Sequence, residues 1–152
     1  MKQLLLLILI LAGLQGCKTD CERHKPKDEG EITGKLNIDI FTCIQYPNQC
    51  VIRNDSEYAA NIYMDSIRSD CKQAFVRPAV DFSQNSLLVF MGSVGCKGSM
   101  TPNVTRDNTN KKVTFEMWEC NKGLCKSEWR RLFVVTVPPI PADYTVEFVK
   151  KK

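Results

Sequence analysis

Seven residues near the middle of the chain, Ser86-Leu-Leu-Val-Phe-Met-Gly92, restrict its fold more than any other segment. Five consecutive apolar side chains stand between polar Asn85-Ser86 and Gly92. The run is too short for a buried helix and does not alternate, so it describes a strand covered on both faces. A chain of 152 residues supplies enough material for one such domain, and too little for two lobes around a cofactor cleft.

The flanking patterns complete a mainly β reading. Leu36, Ile38 and Ile40 alternate with Lys35, Asn37 and Asp39, as in a half-buried strand. Cys50 to Arg53 is a short extended run, and Asn54 stands three residues before Glu57 as in a capping box. The spacing predicts a helix over 56–66, with Ala59, Ile62 and Tyr63 or Ser66 on one face, and a second short helical piece over 71–75. Asp81 to Asn85 is turn-like. Strands are expected over 100–106, 112–119 and 128–137, with turns at 107–110 and 121–124. A hairpin that sets Cys120 opposite Cys125 also sets Val113 opposite Leu132, with Phe115 and Met117 on that face and Trp118 and Trp129 on the other. Both faces then carry aromatics, and one is expected to lie under the helix. Pro138-Pro139-Ile140-Pro141 blocks a ladder and reads as a crossover into a last strand, where Tyr144, Val146 and Phe148 alternate with polar residues. The expected class is α+β, mainly β: an antiparallel meander with one main helix, stapled by disulfides.

The N-terminus carries an address. Lys2 precedes eleven residues, Leu4 to Leu14, that are apolar apart from Gly13. At about 1.5 Å per residue they cover roughly half of a bilayer core, which favours a secretory signal over a permanent span. Leu14-Gln15-Gly16-Cys17 resembles the lipobox of bacterial lipoproteins, in which the cysteine thiol takes the diacyl group and the signal is cut just before it. The resemblance implies residues 1–16 as signal peptide, acylation (palmitate and its like) at Cys17, and a folded part in the periplasm or on the cell surface. Two or three acyl chains make a stable anchor where one is marginal. Residues 17–30 hold almost no apolar side chain and read as a flexible tether; 31–152 form the single domain.

Export makes disulfides the default use of the other seven cysteines. Cys120 with Cys125, Cys43 with Cys50, and Cys71 with Cys96 are the preferred pairs among fifteen connectivities, leaving Cys21 over. Zinc is disfavoured, since no C-x2-C occurs and the one histidine, His24, lies in the tether.

Between Val51 and Val149 the order of strand, helix, Asp-Phe turn, buried strand, Gly-containing loop and meander is similar to the PrcB-like, protease-complex-stabilising domain of exported lipoproteins. The residues that carry this are Val51-Ile52, Glu57-Tyr58, Val80-Asp81-Phe82, Leu87-Leu-Val-Phe90, Val135-Thr-Val137 and Val146-Glu-Phe148. The resemblance implies a protein that binds and stabilises a partner protease without catalysing a reaction. Where that family shows Gly-Gly-aromatic, this chain has Gly95-Cys-Lys-Gly-Ser-Met100, so Gly95, Lys97, Gly98, Ser99 and Met100 are the candidate partner contacts.

The remaining chemistry is sparse. A Ser-His or Cys-His machine has no histidine to use outside the tether. The P-loop order is absent, because Lys97 precedes Gly98. A net charge of +4 is too mild for a nucleic-acid partner. Lys126, Arg130, Arg131 and the terminal lysines form a candidate basic patch for an anionic membrane or a protein. No cofactor or metal is expected. The reading is a lipid-anchored envelope protein that binds a partner protein. The alternative is a small hydrolase or ligand-binding lipoprotein using carboxylates from Asp81, Glu116, Glu119, Glu128 and Glu147.

Overall fold

The central apolar run forms β5 (Ser86–Gly95) of a computed structural model that describes residues 25–38, 44–64, 76–95, 98–120 and 128–151. β5 lies inside a four-stranded antiparallel sheet with β1 (Gly34–Leu36), β8 (Glu128–Val137) and β3 (Gln49–Ile52), in the order β1-β8-β5-β3. Its ladder with β8 runs unbroken from Ser86↔Val137 to Gly95↔Glu128.

Both faces of this sheet are covered, and the alternation of β5 divides its side chains between them. Leu88 and Phe90 join Val135 and Val137 in one cluster; Leu87 and Val89 join Val134 in another. The first cluster is closed by a second sheet, β6 (Ser99–Asp107), β7 (Lys112–Cys120) and β9 (Thr145–Lys151), with β7 central. From it Val104, Val113, Phe115 and Met117 enter the interior. The second cluster is closed by α1 (Asp55–Asn61), through Tyr58, and by Ile62 just beyond it. Ile44 and Phe82 pack there too, beside a small ladder of β2 (Ile44–Gln45) with β4 (Tyr63–Met64). The result is a β-sandwich with a helix on one outer face, mainly β as expected.

The start of α1 forms as its sequence requires. The Asn54 side chain accepts from Glu57 N–H at 2.8 Å, and Glu57 reaches back to Arg53 N–H at 2.7 Å. The helix is shorter than expected, ending at Asn61 rather than Ser66. Ile62 is extended (φ −127°, ψ 100°), and the next two residues pair with β2, so Tyr63 stands exposed instead of sharing the helix's buried face. The second helical piece, 71–75, lies outside the described residues.

The expected hairpin between β7 and β8 is not formed. β7 pairs antiparallel with β6, Val113 opposite Arg106, and parallel with β9, Val113 beside Val146. Leu132 pairs instead with Met91 in the other sheet. The face assignment of β7 nonetheless holds, with Phe115 and Met117 inward and Trp118 on the outer face. It is β5 and β8, not β7, that lie under α1. Pro138 to Pro141 does cross over, carrying the chain from β8 in the first sheet to β9 in the second.

That crossover is pinned by side chains from three strands or their ends. Arg106 donates to Pro138 O at 2.9 Å and Pro139 O at 3.1 Å while pairing with Glu31 at 2.7 Å. Arg53 Nε donates to Ile140 O at 3.1 Å, and Ile140 N–H donates to the buried Ser86 hydroxyl at 2.9 Å.

The end of the segment read as a tether is held to the domain. Val104 N–H donates to Glu29 O and Glu31 N–H to Val104 O, so the chain is docked on β6 from Glu29 onward. Gly30 makes this approach possible: its φ is 65°, and a Cβ there would stand 1.9 Å from Val104 O.

Candidate functional site

Among the described residues, the strand expected through Ile40 pairs over Gly34–Leu36, with Leu36 opposite Val134; Ile40 lies outside them. Thr33 N–H to Thr136 O (2.9 Å) and Thr33 Oγ1 to Thr136 Oγ1 (3.0 Å) hold its start to β8. After Leu36 the ladder ends, and Ile38 turns its side chain into the helix-side cluster. A cleft of about 460 Å³ accompanies this break, lined by Lys35, Leu36, Asn37 and Ile38 on one side and by Arg131 to Val135 on the other. Among the described residues, the lining contains no carboxylate, hydroxyl or thiol. Beside it β8 continues to Glu128, paired with β5 on one edge and with no strand on the other among the described residues.

The cations around the cleft differ in their commitments. Lys35 pairs with Glu29 at 2.5 Å. Arg130 and Arg131 are exposed and make no ion pair among the described residues. The lysines near the chain end do not join them: on β9, Lys150 pairs with Glu119 and Lys151 lies 3.6 Å from Glu116. The single basic patch is therefore divided, and Lys126 and Lys152 lie outside the described residues.

The candidate carboxylates are dispersed. Asp81 accepts from Ser83 N–H and Oγ, which holds its acid below the usual carboxylate range. Glu116 accepts from Trp118 Nε1 at 3.1 Å on the outer face of the second sheet. Glu119 continues the inward row of β7 and meets Lys150 at 2.5 Å, and Glu147 meets Lys112 at 2.6 Å. None of these four lines the cleft. The Glu128 side chain lies outside the described residues.

Two cysteines fall within the described residues. Cys120 is disulfide-bonded. Cys50 is free, so the partner of Cys120 lies outside the described residues, as do Cys17, Cys21, Cys43, Cys71, Cys96 and Cys125. The expected Cys43–Cys50 staple is therefore corrected. β3 sets Cys50 opposite Val89, and its side chain packs into the helix-side cluster rather than across the 44–49 turn. Burial, with the Glu57 charge adding to it, pushes this thiol up to about 11. Below pH 9, its thiolate fraction should be roughly a hundredfold lower than that of an ordinary thiol with the reference value of 9.0. Alkylation at pH 8, followed by peptide mapping, should accordingly label Cys50 far more slowly in folded than in denatured protein. Equal rates would contradict the burial argument.

The loop taken as partner contact is only partly exposed. Gly98 N–H donates to Gly95 O at 2.8 Å, and Ser99 opens β6 opposite Cys120. The Met100 side chain is partly buried: it packs against the core, over Gly92, where a Cβ would stand 1.9 Å from Met100 Cε. Gly92 is thus the space that lets Met100 turn inward. Lys97 lies outside the described residues.

Sequence reasoning missed the cleft, because alternation through Ile40 gave no sign that pairing stops at Leu36. Arg131 was singled out, but not as lining a cleft with Leu36 and Ile38. No group of three or more metal-ligating side chains converges among the described residues. Comparison with known proteins identifies no matching family model, no matching curated protein and no matching solved structure.

Proposed function

We propose that this chain is a bacterial envelope lipoprotein, anchored through acyl groups on Cys17, whose domain binds and stabilises a partner protein without catalysing a reaction. The PrcB-like resemblance implies a protease as that partner. The observation that carries the reading is the cleft: it has an apolar floor and cations at its rim, and its described lining holds no pair of groups set up as nucleophile and base. In this reading Cys120 bonds to Cys125 and Cys71 to Cys96, which fits an oxidising compartment outside the cytoplasmic membrane.

Two experiments test it. Cys17→Ser should move the protein from the membrane pellet to the soluble fraction; continued retention by the membrane would refute the lipid anchor. Cross-linking in native envelopes, followed by pull-down of the full chain, should recover a specific protein absent from an unrelated lipoprotein control. Recovery of nothing beyond the control, or saturable turnover of a small substrate by the purified chain, would overturn the binding role.

A further inference from the structure

We propose that the domain docks one end of its sandwich, the end at Gly95 and Ser99, on an anionic phospholipid surface, an inference that rests on the lipid-anchor reading above. The strand registers define that end. β5 finishes at Gly95 opposite Glu128, where β8 begins, and Gly98 N–H donates to Gly95 O at 2.8 Å as the chain turns into β6. β6 starts at Ser99 opposite Cys120, the last residue of β7, and β9, parallel to β7, arrives there with Lys151 beside Trp118. β8 and β9 therefore deliver Arg130, Arg131, Lys150 and Lys151 to the same end, although they belong to different sheets. Both arginines and Lys150 are exposed. The connections from β5 to β6 and from β7 to β8 contribute Lys97, Lys122 and Lys126 to the sequence at this end, and no acid. With Glu116, Glu119 and Glu128 all set against it, the end keeps an excess of four charges, seven cations less three acids. At the opposite end Lys111 and Lys112 meet Asp143 and Glu147, each at 2.6 Å, and Asp81 and Asp107 add two further acids.

A cationic surface gains from an anionic bilayer only within about one Debye length, roughly 8–10 Å, so something must bring the two together. The entering chain does so. Gly30 and Val104 form a parallel bridge, so the residues before Gly30 approach along β6 from the Ser99 side. Cys17 stands thirteen residues before Gly30, a span of at most about 45 Å, of which about 17 Å is used in passing from the level of Val104 to that of Ser99. On that path the acyl group lies within roughly 30 Å of the basic end. Anchor and basic surface then act on one bilayer, and the short leash keeps the local concentration of headgroups high. An acidic protein is the weaker occupant, because the cations are spread across the ends of two sheets, a breadth that suits a plane of headgroups better than a single peptide.

The test floats the full chain with vesicles, using Cys17→Ser so that no acyl anchor contributes. Vesicles of phosphatidylcholine with about 30% phosphatidylglycerol should bind it at least roughly tenfold better than pure phosphatidylcholine, and about 0.5 M salt should release it. Adding Lys126→Glu with Arg130→Glu should weaken this binding by roughly tenfold, with an unchanged circular dichroism spectrum. Lys111→Glu with Lys112→Glu, an equal charge reversal at the opposite end, should weaken it less than about twofold. If the first double variant does not fold, lysine acetylation of the acylated parent on the same vesicles decides: Lys122, Lys126 and Lys150 should be protected, and Lys111 and Lys112 should react as in solution. Equal binding to both kinds of vesicle, equal losses from the two double variants, or equal labelling of both ends would each overturn the docking. Capture of an acidic protein by this end, without vesicle binding, would overturn it as well. An acylated parent whose basic end stays unprotected defeats the docking and leaves the anchor standing; a parent without acyl groups removes the anchor, and the docking with it.

Discussion

Phe115→Ala is expected to destabilise the domain by about 3–5 kcal/mol, enough to leave a marginally stable domain largely unfolded near its working temperature. Phe115 is fully buried on the central strand of the second sheet. Its ring meets Phe90 edge-on at 5.7 Å from across the sandwich and Phe148 at 5.9 Å from the neighbouring strand, while Phe90 and Phe148 are 6.1 Å apart. The three rings thus tie β5, β7 and β9 together, and alanine would leave a void bordered by the two that remain. Neither can swing into it without abandoning its contact with the other. Phe115→Leu keeps most of the volume and should cost about 1–2 kcal/mol. Urea denaturation of the three proteins measures these differences; an alanine variant within about 1 kcal/mol of the parent would show that this interior collapses freely.

Arg106→Met is expected to cost about 2–4 kcal/mol, an unusually large loss for one charged residue. Its guanidinium side chain is 12% exposed and satisfies three acceptors at once: Glu31 and the carbonyls of Pro138 and Pro139. Methionine keeps the aliphatic stem but strands a carboxylate and two carbonyls. Lysine keeps the charge without the planar fork, so Arg106→Lys should recover only part of the loss. The contrasting pair is Lys111–Asp143, whose side chains are 59% and 57% exposed. Breaking that pair should change stability by less than about 1 kcal/mol. Thermal melts of Arg106→Met and Lys111→Ala side by side decide the ranking; similar values for both would refute the assigned role of Arg106.

Local signals in the sequence were read well where one strand or one cap decided the outcome. Asn54 and Glu57 marked the start of α1, Leu87 to Phe90 marked a strand with two covered faces, and the prolines at 138–141 marked a change of sheet. Partner choice was not legible. The face of Phe115 and Met117 follows from alternation, yet alternation is the same whether β7 lies beside β8 or between β6 and β9. A nearby strand was the natural partner for a local hairpin, but β7 takes β9, some thirty residues on, which only the filled sandwich interior can specify. The cleft was hidden for the same reason. Leu36, Ile38 and Ile40 carry the period of a continuous strand, and nothing in that period records that pairing stops at Leu36. The free thiol of Cys50 likewise depends on which way β3 faces, something cysteine spacing does not encode.

The entry of the chain into the domain also has a mechanical meaning. Within eight residues, Glu29 and Glu31 bond to Val104 of one sheet, and Thr33 to Leu36 join Thr136 to Val134 of the other. A pull arriving through the preceding chain meets both layers in quick succession, first the β6 edge and then β8, the strand that borders the cleft. Tension would therefore be shared between the two halves of the sandwich instead of peeling one strand away.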